Sequence, residues 1–383
     1  MTILNPVLDN LSHVERQGMK VVIVRSELVA LIGKLQSTIP SKPVAPILSN
    51  LLIEAKQDQL ELSATDLVVS VKAFCSARVL RQGKIALSAR RFFQLVRELT
   101  TSEIELEVES SHGVHIRAGE SSFKLHGVDP EEFPSLPDLS EAESIPLNAA
   151  ILKELLVRTA FAVGKDDSRH ALNGMLFQCT QNRLILVGTD GKRLAKMNAD
   201  LDTQGNKGQY IVPLKAVEEM IRSLDDDAKT HLHLMSDKLA LSTPSMTIIT
   251  KLLSGEYPDV NRVIPHKARV IVHLHREELI TLLRQISLFT SETSHAAKFV
   301  FLPGQLDISA MSSEFGEGKV SMPVDYSGER LEVAFNPQFF IDALKHCRDE
   351  TVSFGLIDAF NPGMITDQTT ALFVIMPMRL PQS

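Results

Sequence analysis

The chain has 383 residues, 44% of them hydrophobic, and a formal net charge of −7. That length exceeds what one hydrophobic core serves and fits about three domains of ordinary size. No apolar run approaches the ~18 residues of a membrane span, three cysteines without ligand spacing give neither a disulfide framework nor a zinc site, and an acidic balance argues against wholesale coating of nucleic acid while allowing a local basic surface.

In chain order, residues 1–18 lack a basic segment followed by an apolar block and so do not read as a signal peptide; they match nothing downstream and read as an appendage or as an upstream start ahead of Met19. A helix is expected over RSELVALIGKLQ (25–36), a half-buried strand over QLELSATD (59–66), a short strand at KIALS, and an amphipathic helix over SARRFFQLVREL (88–99). The same order then recurs. AAILKELLVRTAF (149–161), RLILVGTD (183–190), QYIVP and PLKAVEEMIRSL (213–224) form a second unit, and REELITLLRQISLF (276–289), QLDISAMSS (305–313), LEVAF and NPQFFIDALKHC (336–347) a third. The second helices start at 88, 213 and 336, offsets of 125 (213 − 88) and 123 (336 − 213). They share apolar columns Phe92/Val217/Phe340, Leu95/Met220/Ala343, Val96/Ile221/Leu344 and Leu99/Leu224/Cys347, which is one face of a helix. Proline-rich segments at 127–146 and 254–270 divide the units, with Phe133-Pro134 and Tyr257-Pro258 at matching places. Each unit therefore reads as α+β, two helices on antiparallel sheet.

A basic column, Arg97/Arg222/Lys345, with Arg90/Lys215 seven residues earlier, lies roughly 150° around the helix from the apolar stripe. The first helices add Lys34, Arg158 and Arg284 late in each. A lone exposed arginine is usually only solvated, but one position kept basic in three divergent units suggests a surface that contacts phosphates without reading bases.

Enzyme signatures are weak: there is no Walker A, GxGxxG, GxSxG or HExxH pattern. Neither His112, His115 and His126 nor the i,i+2 pairs His231/His233 and His273/His275 have spacing that favours a metal site, and Asp225–Asp227 read as a solvated turn. Thr65-Asp66 and Thr189-Asp190 could pass for catalytic carboxylates, but repetition at strand ends favours turn capping. No catalysis, cofactor or metal is expected.

HALNGMLF (170–177), GTDGKRLA (188–195), EYPDVNRVIP (256–265) and VIMPMRL (374–380) together resemble the bacterial DNA polymerase III β subunit, the sliding-clamp family, over about residues 19–380. The resemblance implies three tandem clamp-type domains, 19–141, 142–267 and 268–383, closing as a six-domain ring in a head-to-tail homodimer around duplex DNA. Six domains about 35 Å across leave a hole of about 30 Å, wide enough for a hydrated duplex of about 20 Å. It implies a cytoplasmic processivity factor whose channel faces DNA through Lys34, Arg90, Arg97, Arg158, Lys215, Arg222, Arg284 and Lys345. Dimer contacts fall on Phe123 and Leu125 at one end and Leu288 and Phe289 at the other. A groove for short motifs of the polymerase, clamp loader and repair proteins is implied at Leu172, Thr189, Gly191, Lys192, Arg193 and Leu194. The linker adds Pro258, Arg262 and Val263 to it, and the third unit adds Asn336, Phe339, Phe360, Val374, Ile375, Met376, Pro377, Met378 and Arg379. Lys192 stands where some members carry His, and Pro337 and Pro381-Gln382-Ser383 are further departures. The competing reading is a clamp-fold scaffold that binds partner peptides without encircling DNA.

Overall fold

Among the described residues, six α-helices form where apolar residues recur at helical spacing. They are α1 (Arg25–Leu35), α2 (Ala89–Glu98), α3 (Ala149–Ala160), α4 (Leu214–Ser223), α5 (Arg276–Ser287) and α6 (Pro337–Lys345). The computed structural model describes residues 18–140, 142–201, 208–225, 229–265, 267–291 and 295–379. Residues 1–17, Asp226, Asp227 and Pro381–Ser383 lie outside the described residues. Of the repeated columns, Phe92, Val96, Val217, Met220, Phe340, Ala343 and Leu344 are buried, and Leu99, Leu224 and Cys347 are buried just past their helices. Leu95 and Ile221, at the margin of the stripe, are half-buried.

Local chemistry sets the helix boundaries. The side chains of Asn148 and Asn336 accept hydrogen bonds from the Ile151 and Gln338 amides at 3.1 and 2.9 Å, and Pro337 occupies the first turn of α6, where its missing donor costs nothing. Arg25, opening α1, donates to the Val96 and Arg97 carbonyls at the end of α2, at 3.1 and 2.5 Å. Arg276, opening α5, donates to the Leu344 and Cys347 carbonyls around the end of α6. Each places a cation at the negative end of a neighbouring helix.

The chain divides into two compact units, Met1–Glu141 with Ser242–Ile249, and Ala142–Leu241 with Thr250–Ser383. In the first, one antiparallel sheet runs Arg78–Arg81, Lys20–Val24, Glu103–Val108, Gly113–Ala118, Ser121–His126, and a second set of paired strands runs Val69–Ser76, Gln59–Thr65, Asn50–Lys56, Gly83–Ser88. The Ser245 carbonyl joins this unit by accepting from the Phe74 amide at 3.1 Å.

The second unit holds the second and third repeats on one eight-stranded sheet. Its order is Gly208–Pro213, Gly174–Cys179, Arg183–Thr189, Arg193–Asp200, Leu372–Ile375, Gly363–Thr366, Thr351–Leu356, Val270–His275. The seam between the repeats is the ladder Arg193↔Ile375, Leu194↔Val374, Ala195↔Phe373 and Lys196↔Leu372. A four-stranded sheet, Gly316–Pro323, Gln305–Ser312, Ala297–Leu302, Leu331–Phe335, packs on α5. Phe299, Phe335, Phe340 and Phe354 fill the third repeat's core, with ring centroids 5.0–6.0 Å apart.

Candidate peptide groove and basic helix positions

The strands Arg183–Thr189 and Arg193–Asp200 meet at a tight turn whose geometry the sequence Thr-Asp-Gly-Lys supplies. Gly191 sits at φ +79°, the left-handed region that favours glycine. The Asp190 carboxylate accepts from the Lys192 and Arg193 amides at 2.9 and 3.0 Å, and the Thr189 hydroxyl accepts from the Gly191 amide at 3.0 Å. Asp66 holds the equivalent turn of the first repeat, accepting from the Val68 and Val69 amides. Both carboxylates are thus occupied in capping, as their repetition suggests.

Beside the Gly191 turn lies a cavity of about 220 Å³. Leu172, Leu194, Val374 and Val260 are buried beneath it, Thr189, Gly191, Pro258 and Val263 border it, and Arg193 and Met376 complete its wall. Two short 3₁₀ turns, His170–Asn173 and Val260–Arg262, deliver Leu172 and Val260. Tyr257 anchors the second turn by donating from its hydroxyl to the Val187 carbonyl at 3.2 Å, and burial pushes its phenol pKa up. A larger open depression of about 880 Å³ in the first unit is lined by residues such as Glu54, Lys56, Asp58 and Lys84. Its wall is as polar as it is apolar, whereas that of the smaller cavity is mostly apolar, the chemistry that suits a hydrophobic anchor.

Arg193 is held on all sides. Its guanidinium donates to Asp190 at 3.1 Å and to Asp342, and lies over the Phe161 and Phe339 rings at 5.5 and 4.9 Å. It shapes the groove wall as a fixed part. Arg169, Asp259 and Val260 also line the cavity and were not among the expected residues. Arg169 donates to Asp167 at 2.8 and 3.0 Å and to the Asp190 carbonyl at 3.1 Å. Those bonds hold the Asp167 carboxyl down at about 2. The spacing Asp167-x-Arg169, upstream of Leu172, was its only trace in the sequence.

Several expected groove residues lie elsewhere. Ile375 alternates with Val374 along its strand and is buried, so it is absent from the cavity wall. The Asn336 side chain is engaged in capping α6, and Phe339 lies under Arg193. Phe360, 89% exposed, is presented to solvent by a turn in which Asp358 accepts from the Phe360 and Asn361 amides, and it does not line the cavity. Arg262 is exposed and donates to Asp259 at 3.2 Å. Pro377, Met378 and Arg379 continue beyond the cavity, with the Met378 amide bonded to the Ala334 carbonyl at 2.8 Å. Lys192 faces an adjoining cavity instead.

Of the basic helix positions, Lys34, Arg90, Arg97, Arg222, Arg284 and Lys345 are exposed and Lys215 is half-buried. Arg222 donates to the buried Glu219 at 2.6 Å, and Arg97 lies over the Phe93 ring. Arg158 overturns the expectation made for it. It is 5% exposed and donates to Asp367 at 2.5 Å, Thr369 at 2.9 Å, Glu154 at 3.0 Å and the His346 carbonyl at 2.7 Å. Its charge is consumed inside the unit and cannot serve a channel surface.

Among the edge strands, Ser121–His126 and Gly316–Pro323 each have one edge without a strand partner among the described residues. Phe123 and Leu125 are half-buried on the first. At the second, the Phe289 ring lies against Gly318, where a Cβ would meet it at 2.6 Å, and Leu288 is 73% exposed. Among the described residues no cluster of His, Cys, Asp and Glu could hold a metal ion, and no helix is long and apolar enough to cross a membrane. His115 contacts Glu109, His231 meets the Ser144 hydroxyl at 3.1 Å, and His275 caps α5.

Three family models match in succession, the N-terminal, central and C-terminal domains of the DNA polymerase III beta subunit, over residues 19–137, 146–259 and 261–379. The beta sliding clamp of Chlamydia pneumoniae is 48% identical over 363 residues, covering 94% of this chain and 99% of that protein. A sliding clamp from Bacillus subtilis superposes with a TM-score of 0.90 at 27% identity, covering 95% of this chain and 100% of that one. The sliding clamp of Pseudomonas aeruginosa, in a structure bound to griselimycin, gives 0.89 at 28% identity, with coverages of 95% and 100%. With three consecutive domain matches over nearly its whole length, the chain belongs to the DNA polymerase III beta subunit family, the bacterial sliding clamps.

Proposed function

We propose that the protein is a DNA sliding clamp, a non-catalytic processivity factor that encircles duplex DNA as a head-to-tail dimer and tethers the replicative polymerase through the groove beside Gly191. The observation that carries this reading is the run of three consecutive clamp-domain matches, and among the sheet edges the strands Ser121–His126 and Gly316–Pro323, one in the first repeat and one in the third, supply two unlike ends. Unpaired edges are templates for strand addition, and two unlike ends joined head to tail close after two copies. Phe123 and Leu125 would meet Leu288 and Phe289 of the second copy. The exposed cations Lys34, Arg90, Arg97, Arg222, Arg284 and Lys345, with Lys215, would face the duplex. Contacts that are few, long and flexible let the ring slide, while closure rather than affinity prevents escape.

The groove supports short linear motifs. Buried Leu172, Leu194 and Val374 form an apolar floor for a Leu or Phe anchor, with Met376 as an adaptable side wall. Polymerase, clamp loader and repair proteins would compete for it.

The test is retention on closed against open DNA. The protein, loaded on a nicked circle, stays bound at salt that strips it from a short linear duplex, and linearising the circle releases it. Leu288→Ala with Phe289→Ala lowers the species mass from about 85 kDa, twice the 42.4 kDa chain, and removes the difference between circle and linear DNA. Equal loss from both DNAs by the unaltered protein would refute encirclement and favour the scaffold reading.

A further inference from the structure

Past the Gly191 turn, the groove adjoins a second cavity of about 430 Å³, lined by Lys165, Asp167, Arg169, Asp190 and Lys192 with Gly164 and Gly191. The two cavities share Arg169 and Gly191. The charges in the second cavity do not cancel. Asp167 is taken by Arg169, and Asp190 by Arg193 and by two backbone amides. Lys165 and Lys192 are exposed and form no ion pair among the described residues. At the shared wall Gly191 carries no side chain, and the Arg169 guanidinium lies 2.8 Å from where a Cβ would stand. Because the two cavities meet at these residues, an extended segment, at about 3.3 Å per residue, can lie along both.

From this juxtaposition we infer that Lys165 and Lys192 form an acidic-residue subsite, so that the peptides this groove prefers carry Asp or Glu a few residues from their apolar anchor. The inference rests on the groove being a peptide site. Charge complementarity chooses the occupant: an apolar floor bordered by two ammonium groups outside any ion pair among the described residues fits a segment whose hydrophobic anchor is flanked by carboxylates, and a wholly apolar or basic segment leaves the lysines unmatched. The lysines also give the site a selectivity that the fixed Arg193 cannot, since both of that residue's carboxylate partners belong to the protein itself.

The experiment measures fluorescence anisotropy of labelled nonapeptides with a central Leu-Phe anchor, flanked on one side or the other by Asp-Asp-Glu or by Ser-Ser-Gln, binding the full-length protein. At low salt an acidic flank on one side tightens binding about 3- to 10-fold, the scale of two exposed ion pairs, and 0.5 M NaCl removes most of that gain. Lys165→Gln with Lys192→Gln abolishes the gain and leaves the Ser-Ser-Gln peptides unchanged. Equal affinity of acidic and neutral peptides for the unaltered protein, or an acidic gain that survives in the double variant, overturns the inference while leaving the groove intact. If no peptide binds, the groove reading fails and this one with it. If a single-stranded oligonucleotide displaces the neutral peptides from the unaltered protein but not from the double variant, the lysines serve phosphate instead, and the inference is wrong.

Discussion

Replacing Arg158 with methionine tests the electrostatic centre of the second unit. The guanidinium is 5% exposed and its partner Asp367 has no side-chain surface in contact with solvent. Methionine keeps much of the stem's volume but strands a carboxylate in a buried site, which costs about 3–5 kcal/mol when one partner of a buried pair is removed. Asp367→Asn removes the charge and keeps one acceptor oxygen where the carboxylate uses two, Oδ1 for the Thr369 amide and Oδ2 for the Arg348 amide, each 3.0 Å away, so one of those bonds is lost as well. The double variant Arg158→Met/Asp367→Asn should therefore be less destabilised than the sum of the singles, because no buried charge is left uncompensated. The chain contains no tryptophan, so urea unfolding is followed by circular dichroism at 222 nm. A loss below about 1 kcal/mol in Arg158→Met, the range of exposed ion pairs, or full additivity in the double variant, would refute the buried-pair argument. A channel residue would show itself differently, by a shallower salt dependence of DNA binding. At Arg158 that slope stays unchanged.

Two further outcomes follow from local geometry. Gly191→Ala forces a side chain into a left-handed conformation and against Arg169, so it destabilises the second unit by about 1–3 kcal/mol and weakens anchor-peptide binding, read from the same unfolding curve and from anisotropy. Asp307, bonded by Gln305, Ser321 and Lys319, is held down to about 2 from an ordinary 3.8. A lowered carboxyl pKa gives stability that is complete above the unfolded value and disappears as pH falls toward 2. The thermal midpoint of the unaltered protein should thus drop between pH 4 and pH 2 more steeply than that of Asp307→Asn, by a difference worth about 1–2 kcal/mol after screening. Parallel curves would sink that assignment.

The repeated helices were legible in the sequence because local periodicity writes them: Phe92, Val217 and Phe340 fall in one column and are all buried. The Thr-Asp turns were legible for the same reason, since an Asx turn is closed by residues two and three positions on. Arg158 departs from Lys34 and Arg284, which sit equally late in the first helices of the other repeats and are exposed. Its burial depends on Asp367 and Thr369, which lie 209 and 211 residues away and leave no local trace. The groove was legible where strands carry it, at Leu194 and Val374. It was opaque at Arg169, just ahead of the first 3₁₀ turn, and at Val260 in the second, because a short irregular segment has no period from which to infer which side chain points inward; Leu172, in the first turn, was legible only through the family resemblance. Phe360, a position implied by the family resemblance, is directed into solvent by an Asp358-capped turn that no periodicity in the sequence marks.

The ladder joining the second and third repeats has a thermodynamic corollary. Leu194 and Val374, partners across that ladder, are also the floor of the groove, and the Met376 amide extends the pairing by donating to the Lys192 carbonyl at 2.9 Å. The proposed ligand seat and the inter-repeat joint are therefore one set of atoms. Linkage then runs both ways: a peptide that favours one setting of the joint stiffens it, and any load that shifts the joint changes peptide affinity by the same factor.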